Sequence, residues 1–274
     1  MSTAVARRSI AEQFASLAGA GQKRIALMPF IPAGYPDLET TAKCLPALEA
    51  AGASIIEIGI PFSDPIADGP VIQEAFGVAL AKKLKLADVF ATIKGARSTI
   101  SIPLVAMVSY SIVYRFGVDR FCAMMREAGF DGLILPDLPP PEAEAVCERV
   151  RAGGLETILL VAPTTPRERR MEIARLTSGF VYYMSVTGIT GERTELPREL
   201  AEGVRDMKSL SGRPVCVGFG VSTAAHVAQL AGVADGAIVG SALVRRMKQH
   251  AGDGPDAIAD AAGGYCRELL SGVR

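Results

Sequence analysis

The sequence predicts a (β/α)8 barrel, and three observations predict it. Short apolar runs alternate with longer amphipathic stretches through the 274 residues, eight such pairs can be counted, and no Gly/Ser-rich linker or shift in composition interrupts them. Strands separated by helices imply parallel pairing, because each crossover must carry the chain back across the sheet before the next strand begins. Eight units in about 250 residues have the dimensions of a closed barrel. An open doubly wound sheet is the rival, but it rarely uses eight units so evenly. A single domain over 1–274 is expected.

The elements follow in order. The opening 23 residues carry Arg7, Arg8, Glu12 and Gln13 and no sustained apolar core. Ser9 with Glu12 three residues later is a capping box, so an extra N-terminal helix is expected here and not a signal peptide. Apolar runs place strands at 25–31, 54–60, 103–108, 132–135, 156–161, 180–184, 214–217 and 236–239. Amphipathic patterns place helices at 40–51, 71–80, 119–128, 141–152, 166–176, 196–208, 224–231 and 242–250. Ala51-Gly52, Ala128-Gly129 and Ala152-Gly153-Gly154 each put glycine just past an apolar helix, the usual left-handed stop. This architecture carries no function by itself. Function must come from the loops at the strand C-termini, where barrel active sites are built.

Composition narrows the field. Lys plus Arg equals Asp plus Glu at 29 each, which argues against a nucleic-acid or polybasic membrane surface. No uncharged apolar run reaches the ~18 residues of a membrane helix. The five cysteines (Cys44, Cys122, Cys147, Cys216, Cys266) are scattered without CxxC spacing and read as packed, reduced thiols of a soluble cytoplasmic protein. The two histidines, His226 and His250, lie in polar helical contexts, and a zinc site is not expected.

The second strand contains an acid where a core residue belongs. Alternation puts Ile56, Ile58 and Ile60 on one face and Ile55, Glu57 and Gly59 on the other. If the second face points into the barrel, its apolar surroundings raise the Glu57 pKa toward that of a general acid or base. Gly59 would then leave room for a substrate above it. A structural carboxylate paired with a buried Lys or Arg is the equal alternative from this strand alone. The next loop, 61–70, adds Asp64 and Asp68 among three prolines, which lower the entropy lost on ordering. Converging carboxylates there suit metal-free proton transfer. The plainer reading is a turn in which Asp64 and Asp68 bond backbone amides.

Near the other end, Gly218-Phe219-Gly220 follows the seventh strand and Gly240-Ser241 follows the eighth. Backbone N–H groups at glycines and helix N-termini bind anions, and barrels often hold phosphate after these two strands. Close strand–helix packing would explain either turn separately. The stretch 186–193, with Thr187, Gly188, Thr190 and Gly191, reads either as a closing lid or as an ordinary exposed loop.

The run EIGIPFSDPIADGPVIQ at 57–73 closely resembles the signature of the tryptophan synthase alpha chain family. The likeness extends to Pro29-Phe30, Ala33-Gly34-Tyr35-Pro36, Leu135-Pro136-Asp137-Leu138-Pro139, Thr190-Gly191, Gly218-Phe219-Gly220 and Gly240-Ser241, nearly the whole chain. The resemblance implies a TIM-barrel lyase that splits indole-3-glycerol phosphate by retro-aldol cleavage into indole and glyceraldehyde 3-phosphate. It implies that Glu57 is the catalytic acid–base and that Asp68 holds the indole N–H as positive charge develops. Phe30 would contact the indole ring and Tyr182 would stand beside the glutamate. Gly191, Gly220, Gly240 and Ser241 would bind phosphate, with Gly218 and Phe219 in the same substrate-binding turn. Thr190 would orient Asp68 on closure. Pro61 and Asp64 fall where the family meets its partner, a pyridoxal-phosphate beta chain in an α2β2 heterotetramer that receives indole through a tunnel. No cofactor is implied in this chain.

Two departures from the family pattern stand out, Tyr110-Ser111 in place of Tyr-Asn and Ser185-Val186-Thr187-Gly188 in place of an arginine-containing variant. Neither touches an acid. A largely non-catalytic activating subunit and a stand-alone indole-releasing lyase are the competing readings. The intact Glu57 and Asp68 speak against the first. A Schiff-base aldolase would need a lysine near a strand end, and no expected strand contains one; Lys94 falls in a helical stretch.

Overall fold

The computed structural model describes residues 6–18, 25–65, 68–185, 198–218 and 220–273. Among these residues nine parallel strands make one sheet: β1 (Ala26–Pro32), β2 (Ile56–Gly59), β3 (Leu104–Met107), β4 (Gly132–Ile134), β5 (Glu156–Ile158), β6 (Leu160–Val161), β7 (Val181–Met184), β8 (Val215–Gly218) and β9 (Gly236–Val239). The order β5-β4-β3-β2-β1-β9-β8-β7-β6 has consecutive strands at its two ends. β5 and β6 are halves of the expected 156–161 strand, interrupted only at Leu159, whose carbonyl accepts from Tyr182 N–H at 3.0 Å. The chain itself therefore closes the ring, and the expected barrel is present.

The described helices are α1 (Ile10–Ala18), α2 (Leu38–Ala50), α3 (Pro70–Ala81), α4 (Leu86–Ala96), α5 (Tyr110–Phe116), α6 (Val118–Ala128), α7 (Pro140–Ala152), α8 (Arg167–Leu176), α9 (Arg198–Ser211), α10 (Ala224–Leu230), α11 (Ser241–Gln249) and α12 (Pro255–Leu270). Sequence reading does not anticipate α12. It takes α11 as the helix that completes the eighth unit, whereas α12 is the one that packs on α2 and closes the outer ring. Gly263 permits that approach, since a Cβ there would lie 3.0 Å from the Ala47 carbonyl oxygen. The glycine stops take left-handed backbone as expected at Gly52 (φ 101°) and Gly129 (φ 95°). After α7 the second glycine, Gly154 (φ 76°), does so in place of the first.

Strand alternation divides the interior in two. Ile56, Ile58 and Ile60 point outward into the annular core beneath the helices, with Leu45, Leu48 and Phe121. Ile55, Val105, Ile134, Ile158, Tyr182, Cys216 and Ile238 point into the barrel. Helix α1 seals the N-terminal mouth. Its capping box forms as expected, with Ser9 N–H donating to Glu12 Oε2 at 2.7 Å and Glu12 N–H to Ser9 Oγ at 3.2 Å. Ile10 enters the inner core, and Phe14 meets Phe180 edge-on at 6.1 Å between ring centroids. All five cysteines are buried and free. No helix among the described residues is long and apolar enough to cross a membrane.

Candidate active site

A cavity of about 200 Å³ opens at the C-terminal ends of the strands. Phe30 of β1, Glu57 of β2, Met107 of β3, Tyr182 of β7 and Ile238 of β9 form its floor and walls. Asp68 and Gly69 from the loop after β2 and Ile72 from α3 flank it. Gly220, Val221 and Ser222 after β8, with Gly240, Ser241, Ala242 and Arg245 after β9, make its far side. The outward isoleucines of β2 fix the phase of the strand, so Glu57 must face inward.

Glu57 is completely buried, and neither carboxylate oxygen has a hydrogen-bond partner among the described residues. The equal alternative, a structural ion pair, finds no Lys or Arg partner among the described residues. Burial, with repulsion from Asp68 second, pushes its carboxyl up from 4.5 to about 8. An orphaned buried acid is costly in a protein core, and a pKa displaced into the working range makes Glu57 a candidate functional group.

Asp68 is half-buried, and burial raises its pKa as well. Asp68 is the less buried of the two, and its repulsion adds to the burial that keeps the proton on Glu57. The turn around Asp68 is made by backbone, not by its carboxylate: Asp68 N–H donates to Pro65 O at 3.1 Å, and Gln73 Nε2 donates to Asp68 O at 2.8 Å. Asp68 itself lines the cavity. Asp64 is exposed outside the cavity and accepts from the Ser63 hydroxyl at 2.8 Å, a side-chain partner where the plainer reading expected a backbone amide. Pro61 borders a separate small apolar pocket with Ile60, Leu84 and Ile112.

Tyr182 is buried between the acids and β8, and the charges of Glu57 and Asp68 add to burial in holding its hydroxyl protonated. Gly218 does not line the cavity. It makes room for Tyr182, whose ring and hydroxyl occupy the space a Cβ would need. Gly59 likewise admits the Phe30 ring, so the room above Glu57 expected for substrate is filled by Phe30. Thr190, Gly191, Phe219 and Val186 lie outside the described residues. Ser111 sits at the start of α5, where its Oγ pairs with Ser109 Oγ at 2.8 Å and Ser109 Oγ donates to Asp137 Oδ2 at 2.6 Å.

The sequence reading missed Ile72, Met107, Ile238 and Arg245. Alternation from Val105 and from Gly236 was a usable signal for Met107 and Ile238, and Arg245 stands one helical turn beyond Ser241. Ile72 had no local signal. Among the described residues no group of three or more His, Cys, Asp or Glu side chains is placed to hold a metal.

A family model described as tryptophan synthase alpha chain matches residues 16–270. The chain belongs to that family. A tryptophan synthase alpha chain of Chloroflexus aurantiacus is 45% identical over 265 residues, covering 96% of this chain and 98% of that one. One of Prochlorococcus marinus is 48% identical over 247 residues, covering 90% and 89%. Among solved structures, an aminoacrylate-bound tryptophan synthase from M. tuberculosis superposes with a TM-score of 0.84 at 35% identity, covering 97% of this chain and 100% of that one. A mutant alpha-subunit from Pyrococcus furiosus gives a TM-score of 0.82 at 39% identity, covering 91% and 98%. The family assigned from the 57–73 run is thus confirmed, and with it the chain's standing as an alpha subunit.

Proposed function

We propose that this cavity is a carbon–carbon lyase site that splits indole-3-glycerol phosphate into indole and glyceraldehyde 3-phosphate. The observation that carries the reading is the pair of acids: a buried, protonated Glu57 facing an ionisable Asp68 across an apolar cavity with a glycine-rich far side. Two carboxyls whose environments separate their pKa values assign their own roles.

Phe30, Ile72 and Met107 supply apolar surface for an indole ring. Gly220, Gly240 and Ser241 supply backbone N–H groups for phosphate, with α11 adding its positive N-terminal end. The protonated Glu57 gives its proton to indole C3, which interrupts the aromatic ring and leaves positive charge on the ring nitrogen. Asp68 accepts the N–H hydrogen bond and stabilises that charge. Glu57, now a carboxylate, takes the proton of the glyceryl hydroxyl next to the ring. The oxygen forms a carbonyl, the carbon–carbon bond breaks, and its electron pair restores the aromatic indole. Glu57 ends protonated as it began. No cofactor is needed in this chain for these steps.

The family reading adds a pyridoxal-phosphate beta chain as partner, in an α2β2 assembly, with Pro61 and Asp64 on the contact face and Thr190 and Gly191 completing the site. The test is indole release from indole-3-glycerol phosphate by the purified chain, alone and with a beta chain added. Slow release that rises sharply with the partner is expected. Fast release alone would mark a stand-alone indole producer, and no release in either case would refute the substrate.

A further inference from the structure

His226 lies outside the acid machinery but touches the other end of the cavity. It is the third residue of α10, buried, with its backbone N–H donating to the capping Thr223 Oγ1 at 3.2 Å. From there the ring reaches back past the cap. Ser222 N–H donates to Nδ1 at 3.3 Å, which requires an unprotonated Nδ1 and places the ring proton on Nε2. Burial lowers the ring's pKa and keeps it neutral, and a second hydrogen bond, from the ring to the Gly220 backbone, opposes that shift only in part. Tyr265 of α12 grips the same turn from the opposite side, its hydroxyl donating to Ser222 O at 2.7 Å. Gly220 (φ 81°) supplies the left-handed backbone that forms the turn, and Gly220, Val221 and Ser222 all line the cavity.

Both peptide groups of Ser222 are therefore tied by side chains from two different helices. A turn that binds an anion through backbone N–H groups depends on their orientation, because a backbone donor has no rotamer with which to correct a misplacement. We propose that His226 is a positioning residue for phosphate: its imidazole, opposed by Tyr265, holds the 220–222 turn in the shape that binds the substrate's phosphate. The inference rests on the phosphate end of the reading above.

The experiment is calorimetric titration of the full chain with glycerol 3-phosphate, for the unmodified chain, His226→Ala, His226→Asn and Tyr265→Phe. Loss of the imidazole's hydrogen bonds to the turn is expected to weaken His226→Ala roughly three- to tenfold. His226→Asn, whose amide oxygen takes the place of Nδ1, should recover most of that loss. Tyr265→Phe, which removes one hydroxyl and keeps the ring, should shift binding in the same direction as His226→Ala. In turnover the loss should appear in KM, with kcat changed less than about twofold. Hydrogen exchange at Ser222 N–H should quicken in His226→Ala and slow again in His226→Asn. Unchanged binding in both His226→Ala and Tyr265→Phe would overturn the assignment, as would an Asn variant as weak as Ala. No binding by the unmodified chain would instead refute the phosphate reading, and this inference with it.

Discussion

Replacing Glu57 by Gln separates chemistry from stability in one experiment. The carboxyl is raised from 4.5 to about 8 by burial and by Asp68. At ~1.4 kcal/mol per pH unit that rise corresponds to ~5 kcal/mol, comparable with the whole stability of many domains. The sign follows from which state holds the proton. Below pH 4.5 the acid is neutral folded and unfolded, and contributes no pH dependence. Between 4.5 and about 8 the unfolded chain ionises while the folded chain keeps its proton, so stability falls as pH rises. Above that the folded acid ionises too and the loss levels off. Glutamine does not titrate and keeps nearly the same shape. Urea unfolding of both proteins across pH 4 to 9 should give a difference that is flat at acid pH, then grows in favour of Glu57→Gln toward ~5 kcal/mol near pH 8. Indole release by the variant should drop by roughly 10²–10⁴-fold, the usual worth of a positioned acid. A stability difference independent of pH would show that Glu57 is not held protonated. Retained turnover would remove it from the mechanism.

Three further expectations concern other parts of the molecule. Asp68→Asn should cut kcat by roughly a hundredfold or more with little loss of glycerol 3-phosphate binding, and a large binding loss instead would make Asp68 structural. Gly240→Leu should weaken glycerol 3-phosphate by roughly tenfold or more. A Cβ at Gly240 clears its nearest neighbour, Phe30, by 3.8 Å, so the rest of the side chain enters the cavity; unchanged affinity would move the phosphate site elsewhere. Ile10→Ala should lower stability by ~2–4 kcal/mol in urea unfolding while leaving turnover at low temperature intact, because Ile10 fills the inner core at the end opposite the acids. A collapse in turnover without loss of stability would contradict that placement.

The parts legible in the sequence were those set by short-range periodicity. A two-residue repeat in β2 sufficed to put Glu57 inside, and Ser9 with Glu12 announced α1. What failed needed knowledge across the fold. Helix α12 contains Gly263-Gly264, weak helix formers, and the value of Gly263 appears only against Ala47 of α2. Gly59 was assigned to substrate because one strand cannot reveal that Phe30, from the neighbouring strand, fills the space. The choice between ion pair and free acid at Glu57 was also out of reach, since it depends on which side chains other strands bring to it. His226 read as an ordinary helical histidine because its partners, Gly220 and Ser222, are identified by geometry and not by pattern.

The plug formed by α1 turns the barrel into a blind well. With Ile10 and Phe14 stopping its floor, ligand and water reach Glu57 by the rim where Asp68, Phe30 and the glycine turns stand. The acid's unusual proton affinity is thus sustained from both ends, by a seal at one and by whatever sits on the rim at the other. Removing α1 as a whole, where trimming Ile10 alone leaves the seal in place, should let water rise behind Glu57 and return it toward an ordinary surface carboxyl. A helix with no contact to any reactant would in that way govern how acidic the reaction's proton donor is.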